Sequence, residues 1–446
     1  MKSWFSLIHL FGVAAFFLLT PVFAQAPSAT VPSRGTSIAD FGAIGDGATL
    51  NTERIQSAVN QLAEKGGGTV VIPKGVFLSG AIFLKPKVHL HLDEGAVLKG
   101  SDNIADYPIQ DTRIEGRTNQ WAVALVNATG TDGLRISGAG TIDGSGMKYW
   151  EAFWQRRKEN PKCTNLEVVR PRMMHIRDAK DVQVSGIQMR DSGFWTLHLF
   201  QCNNVLIENI RIINPHEPVR APSTDGIDID SSSNVTVRGC YLAVDDDCIA
   251  IKCGKGPQAH LENRSVENVI VENCEFGYGH GVLTLGSEAT TVRNVTFRNC
   301  KVAGDNRLVR FKLRPDTRQL YENITYENIT VAGTGGEVFD IRPWKQFYDP
   351  KAQETQNAIV RNITLRNITA TGLKSPGAIS GNPGDTLENF HIENVSIEAS
   401  DARWNRDPIK GLVVRKFTIN GKEANADAAK QADESTYTPQ GVTPEK

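Results

Sequence analysis

The chain has 446 residues, enough for one large single-core domain or two to three ordinary ones. Its 40% hydrophobic and 22% charged residues are a globular composition, and 49 Lys and Arg against 50 Asp and Glu leave a net charge of −1, which argues against a nucleic-acid-binding surface. The 40 glycines show no triplet period, so collagen is excluded and a turn-rich β architecture is favoured, with a local basic patch for an acidic partner still open.

In chain order, the first element is an export signal. Lys2 precedes an apolar run from Phe11 to Leu19, Pro21 and a small-residue region in which cleavage after Ala24 or Ala26 fits equally. The run is short for a membrane span and lacks a basic stop-transfer flank. The expectation is a secreted or periplasmic protein with residues 1–24 removed. Gly42, Gly45 and Gly47 sit in no strand–loop–helix unit, so they do not read as dinucleotide binding. Residues 51–65 predict an amphipathic helix, with Ile55, Ala58, Val59, Leu62 and Ala63 on one face and Gly66-Gly67-Gly68 as its stop.

From there a repeat takes over. An Asn or Asp followed by an apolar residue opens an alternating strand at Asp181, Asn204, Asn234, Asn268, Asn294, Asn323, Asn362 and Asn389. A second short strand follows, as at Ile249-Ala250-Ile251 or Val309-Arg310-Phe311. No helical pattern long enough for a βαβ crossover intervenes, which excludes a TIM barrel and a Rossmann sheet. The spacing predicts an all-β fold, a right-handed parallel β-helix, with the early helix covering its open apolar end. The Asn residues would stack into a ladder at the coil corners, which displaces glycosylation as the reason for the Asn-Ile-Thr phrases. Seven cysteines (163, 202, 240, 248, 253, 274 and 300) are too few for a disulfide scaffold in 446 residues. Buried thiols are expected, with at most one or two bridges. One domain is expected over 35–420, with a disordered tail at 425–446, and the protein is expected to be a monomer.

Coils stack about 4.8 Å apart, so residues at matching steps form a column on the surface. Four segments align by their second strands: Ser223-Thr224-Asp225-Gly226-Ile227-Asp228, Asp245-Asp246-Asp247-Cys248-Ile249, Gly279-His280-Gly281-Val282 and Val309-Arg310-Phe311-Lys312. Matching Ile227, Ile249 and Val282 places Asp225, Asp247 and His280 at one step, with Asp246 beside them and Arg310 and Lys312 from the next coil. An isolated Asp before a strand is a turn residue. Carboxylates crowded on one face gain nothing structurally and force at least one pKa upward, which suits acid-plus-base hydrolysis of an acetal. The expectation is that Asp246 carries the raised pKa. Arg310 and Lys312, on alternate positions of one strand, suit a sugar carboxylate.

These blocks resemble glycoside hydrolase family 28, the polygalacturonases of pectin breakdown, whose pattern is Asn-Thr-Asp, Asp-Asp, Gly-His-Gly and Arg-x-Lys in that order. The resemblance covers most of the chain, including Asp40 to Gly47 and the Gly-rich strand entry at Gly66 to Pro73. It implies a parallel β-helix that hydrolyses α-1,4-galacturonosyl linkages of plant cell-wall pectin with inversion, using no metal and no cofactor. It assigns Asp246 as general acid, Asp225 and Asp247 as holders and activators of water, His280 as tuner of the cluster, and Arg310 and Lys312 as carboxylate binders. Ser223 stands where the family has Asn, Asp245 extends the pair to three, and Tyr348 is the candidate for the family's substrate-binding Tyr. The rivals are a Ca²⁺-dependent pectate or polysaccharide lyase on the same fold and a non-catalytic β-helix that binds carbohydrate. The long gaps at Leu134–Val182 and Ile324–Ile363 would wall one end of a groove, where Trp150, Trp154 and Trp344 either stack on sugars or pack the core.

Overall fold

The computed structural model describes residues 35–346 and 355–424, so the expected export signal, Tyr348 and the expected disordered tail lie outside the described residues. The chain winds as a parallel β-helix. One sheet of eleven strands runs in parallel steps from Ile82–Leu84 to Trp404–Arg406. The remaining long strands also pair in parallel, one coil upon the next. The apolar residues after the predicted anchors stack in register, Val182 on Val205, Val235, Val269, Val295, Ile324, Ile363 and Phe390.

The anchors turn corners because their backbone is left-handed. Asn204, Asn234, Asn268 and Asn294 have φ of 56°, 56°, 58° and 58°, a region Asn enters more easily than other residues with a Cβ. Their amides bond side chain to side chain: Asn268 donates to Asn234 at 2.9 Å, Asn294 to Asn268 at 3.1 Å and Asn323 to Asn294 at 3.1 Å. A second ladder, not anticipated from sequence, joins Asn299, Asn328, Asn367 and Asn394 five residues on. The strand Thr291–Gly304 thus bends twice within one coil, at Asn294 and Asn299.

The early helix spans Thr52–Glu64 and buries Ile55, Ala58, Val59 and Leu62 against the first coil. At Gly67, φ is 123° and a Cβ would stand 2.6 Å from the Lys87 carbonyl oxygen, so only glycine passes there. A second helix, Met147–Glu159, fills the first insertion and buries Tyr149, Trp150 and Phe153, an element the sequence reading lacked. Among the described residues no helix is long and apolar enough to cross a membrane. All seven cysteines are buried free thiols, so the one or two bridges left open are absent.

Candidate active site

The eleven-stranded sheet is the floor of the site. Its inward residues, such as Ile227, Ile249, Leu283 and Val309, belong to the core, and its outward residues form two rows across the coils. One row reads His175, His198, Asp228, Ala250, Thr284, Arg310 and Asp340. The other includes Phe200, Asp230 and Lys252, then Lys312 and Arg342. The hairpin Ile109–Ile114 with Arg117–Ala122 stands beside this floor. Arg113 of the hairpin grips Asp230 through two hydrogen bonds of 2.8 and 3.1 Å.

Asp225 and Asp247 enter at equivalent steps, two residues ahead of the paired Ile227 and Ile249. His280 does not. Asp247 bridges to Gly281, and Leu283 rather than Val282 follows Ile249 in register, so His280 is one step off the expected column. The shift has a chemical consequence. The His280 amide donates to the Asp246 carbonyl at 2.8 Å, and its Nδ1 lies 3.1 Å from Asp246 Oδ1, so histidine and Asp246 form a unit.

The three consecutive aspartates have different surroundings. Asp245 is buried and engaged by His216 and by Arg220, at 2.9 and 3.1 Å. That contact fixes the groove wall and brings the Arg220 Nη2 to 3.5 Å from His280 Nε2. Asp247 accepts from Thr284 Oγ1 at 2.7 Å and Arg310 at 2.8 Å on Oδ1, and from Lys312 at 2.7 Å on Oδ2. A carboxylate offers about four lone-pair positions, so one on Oδ2 is left for a water. Asp246 is the open member, its side chain 26% exposed against 1% for Asp247 and 5% for Asp225.

Their acidities follow. Burial would push Asp247 up, but Lys312 and Arg310 outweigh it and hold it ionised, well below the usual carboxylate range. For Asp246, too, burial acts upward, and His280 overcomes it, so its pKa is lowered, against the expectation of a raised value. The raised carboxyl is Asp225: burial first, then Asp246 and Asp247, bring it to about 7 against the pull of Lys252 and Lys312. Crowding does force a proton onto the cluster, but onto a different aspartate.

Arg310 and Lys312 face this floor as expected, but their first partner is Asp247, and Arg310 also meets Asp340 at 3.2 Å. The Trp344 ring packs on both cations, 4.8 Å from Lys312 Nζ and 5.7 Å from the Arg310 guanidinium carbon. Ser223 has φ of 59°, and its hydroxyl accepts from the buried Arg170 at 3.3 Å. Trp150 is a core residue whose indole N–H donates to Ser192 at 2.9 Å, and Trp154 donates to the Arg220 carbonyl at 2.8 Å. Sequence reasoning missed Thr284, Lys252 and Asp228 as site residues. Their signal was their place on the outward face of strands adjoining the aspartates.

An acid cluster with a histidine and fixed cations, on one open face of a parallel β-helix, is the equipment of a polysaccharide-cleaving glycosidase. A model of glycosyl hydrolases family 28 matches residues 65–414, and the chain belongs to that family. A probable polygalacturonase of Vitis vinifera is 28% identical over 405 residues, covering 85% of this chain and 78% of its own. An exo-poly-alpha-D-galacturonosidase of Dickeya chrysanthemi is 27% identical, covering 86% and 74%. Among solved structures, a hyperthermoactive exopolygalacturonase from Thermotoga maritima superposes with a TM-score of 0.70 at 24% identity, covering 88% of this chain and 93% of that one. The chain is a pectinase-type glycoside hydrolase.

Proposed function

We propose that this protein hydrolyses α-1,4-galacturonosyl linkages of galacturonan with inversion of the anomeric centre, Asp246 acting as acid and Asp225 as base. The observation that carries the assignment is the contrast between the carboxyls: one open and joined to a histidine, one buried with a pKa of about 7, one locked ionised. Asp246 protonates the leaving glycosidic oxygen, with His280 resupplying the proton across their hydrogen bond. Asp247 orients the attacking water on its remaining lone pair. Asp225, the stronger base of the pair, takes the water proton as the new C–O bond forms and the glycosidic C–O bond breaks.

The positive charge in the cluster comes from Lys252, Arg310 and Lys312, whose ammonium and guanidinium groups stand where a divalent cation would need free carboxylate oxygens. That favours hydrolysis over a Ca²⁺-dependent lyase. Among the described residues the Lys312 ammonium makes one hydrogen bond, leaving two N–H groups for a sugar carboxylate. Residues 35–420 are read as the catalytic domain of an exported, monomeric enzyme, with Tyr348 as a further substrate contact.

One observation favours a second reading, because the proton of the free cluster sits on Asp225 and not on Asp246. Asparagine variants separate the two. If Asp246 is the acid, Asp246→Asn loses about 10²–10⁴-fold in kcat on the polymer and regains much of it on a galacturonide with an activated leaving group. Rescue of Asp225→Asn instead would exchange the roles.

A further inference from the structure

Beneath Asp225 lies a charged group that the catalytic steps above do not use. Lys252 is buried, and its Nζ stands 3.2 Å from Asp225 Oδ2, 3.5 Å from Asp228 Oδ1 and 3.5 Å from Glu288 Oε2, with the Trp195 ring 4.6 Å away. Three carboxylates around one ammonium carry an excess of two negative charges if all are ionised, which a buried site does not sustain. Glu288 has its own support, a hydroxyl hydrogen bond from Ser287 at 2.7 Å and Lys255 at 3.9 Å, so it stays ionised. The excess falls on Asp225 and Asp228.

Asp228 is fully buried, and among the described residues neither of its oxygens accepts a hydrogen bond. An ionised carboxylate in that position would have only the Lys252 ammonium at 3.5 Å, shared with Asp225 and Glu288, whereas a protonated one donates its O–H to the neighbouring Asp225. We propose that Asp228 and Lys252 are positioning residues for the reaction: they hold one proton between Asp225 and Asp228 and so set the pH at which Asp225 is free to act as base. Burial, then Asp225, raise the Asp228 carboxyl well above its ordinary value, in accord with the geometry. The charged and titratable groups that face the pair are Lys252, Lys312, Asp230 and His198 from the floor, Asp246 and Asp247 from the next coil, and Arg172, which is hydrogen-bonded to His198.

The two residues act on Asp225 with the same sign. The ammonium favours its ionised form by charge, and the protonated Asp228 favours it by the O–H it donates. The proposal rests on Asp225 being the base, and the test keeps the two apart. The measurement is kcat/KM against pH on galacturonan, with a thermal melt of each variant. Lys252→Met moves the acidic limb up by about one unit, and Lys252→Arg restores the wild-type limb. Asp228→Leu, which removes the donor, also moves the limb up, while Asp228→Asn, which keeps a neutral donor, leaves it in place. KM at each optimum stays within about twofold, since neither residue is placed on substrate. Limbs of Lys252→Met and Asp228→Leu that stay at the wild-type position, or move down, overturn the proposal. If neither of these folds, the nearly isosteric Asp228→Asn decides alone, and a downward shift, the mark of a lost negative charge, overturns it. Asp225→Asn is the companion: inactivity with unmoved limbs rejects only the role of Asp228 and Lys252, while retained activity rejects the base assignment and this proposal with it.

Discussion

An Asp225→Asn variant separates what the cluster does for catalysis from what it costs the fold. Burial and the neighbouring aspartates raise the Asp225 carboxyl from 3.8 to about 7. An acid whose folded value lies above its unfolded value binds more protons in the native state between the two. Stability therefore falls as pH rises from about 4 to about 7 and stays lowered above that. Three units at about 1.36 kcal/mol each make the penalty on the order of 4 kcal/mol above pH 7. Asparagine cannot ionise and escapes it. With an unfolding entropy of about 2.1 cal/mol/K per residue, the variant should match the wild type at pH 4 and melt about 5 °C higher at pH 8. Activity should fall by about 10²–10⁴-fold at the same time. Calorimetry at the two pH values and reducing-end release are the assays. A variant no more stable than the wild type at pH 8, or stabilised equally at both, refutes the placement of the proton on Asp225.

Lys312→Ala should raise KM for galacturonan and also lower kcat, because the ammonium proposed to bind the sugar carboxylate also holds Asp247 ionised. Equal loss on galacturonan and on a neutral polysaccharide would remove the acidic-substrate role. Asn294→Leu should lower the melting temperature, since it loses two ladder hydrogen bonds at about 1 kcal/mol each and places a Cγ-branched residue at φ of 58° for a further 1–2 kcal/mol, roughly. KM should not change, and a stable variant would show that the ladder is ornament.

The scaffold was readable because residue type reports backbone directly. An Asn that recurs before an apolar pair marks a left-handed corner, and the stacked valines and isoleucines then set the coil register. The register failed at one place. Val282 and Leu283 are both fully buried, so alternation could not say which of them continues the Ile227–Ile249 column, and His280 was placed one step out. The same limit hid Asp228, Lys252 and Thr284. They lie on the outward face of short strands, which a period of two assigns to solvent, while the groove walls bury them. The direction of the Asp246 pKa depended on that register. Two aspartates nearby argue for a raised value, and a histidine hydrogen-bonded to the carboxylate reverses it. The composition of the cluster was legible; the allocation of its proton depends on contacts of about 3 Å that spacing does not encode.

The proposed mechanism requires direct attack by water, activated at Asp225 and Asp247, while Asp246 protonates the leaving oxygen. Proton NMR of galacturonan in the first moments of cleavage reads this in one spectrum. Inverting hydrolysis of the α linkage predicts that the β anomer of the new reducing end appears first and equilibrates to the mixture afterwards. An α anomer first would require a covalent intermediate, and an unsaturated product would mean elimination; either contradicts the roles assigned to the three aspartates.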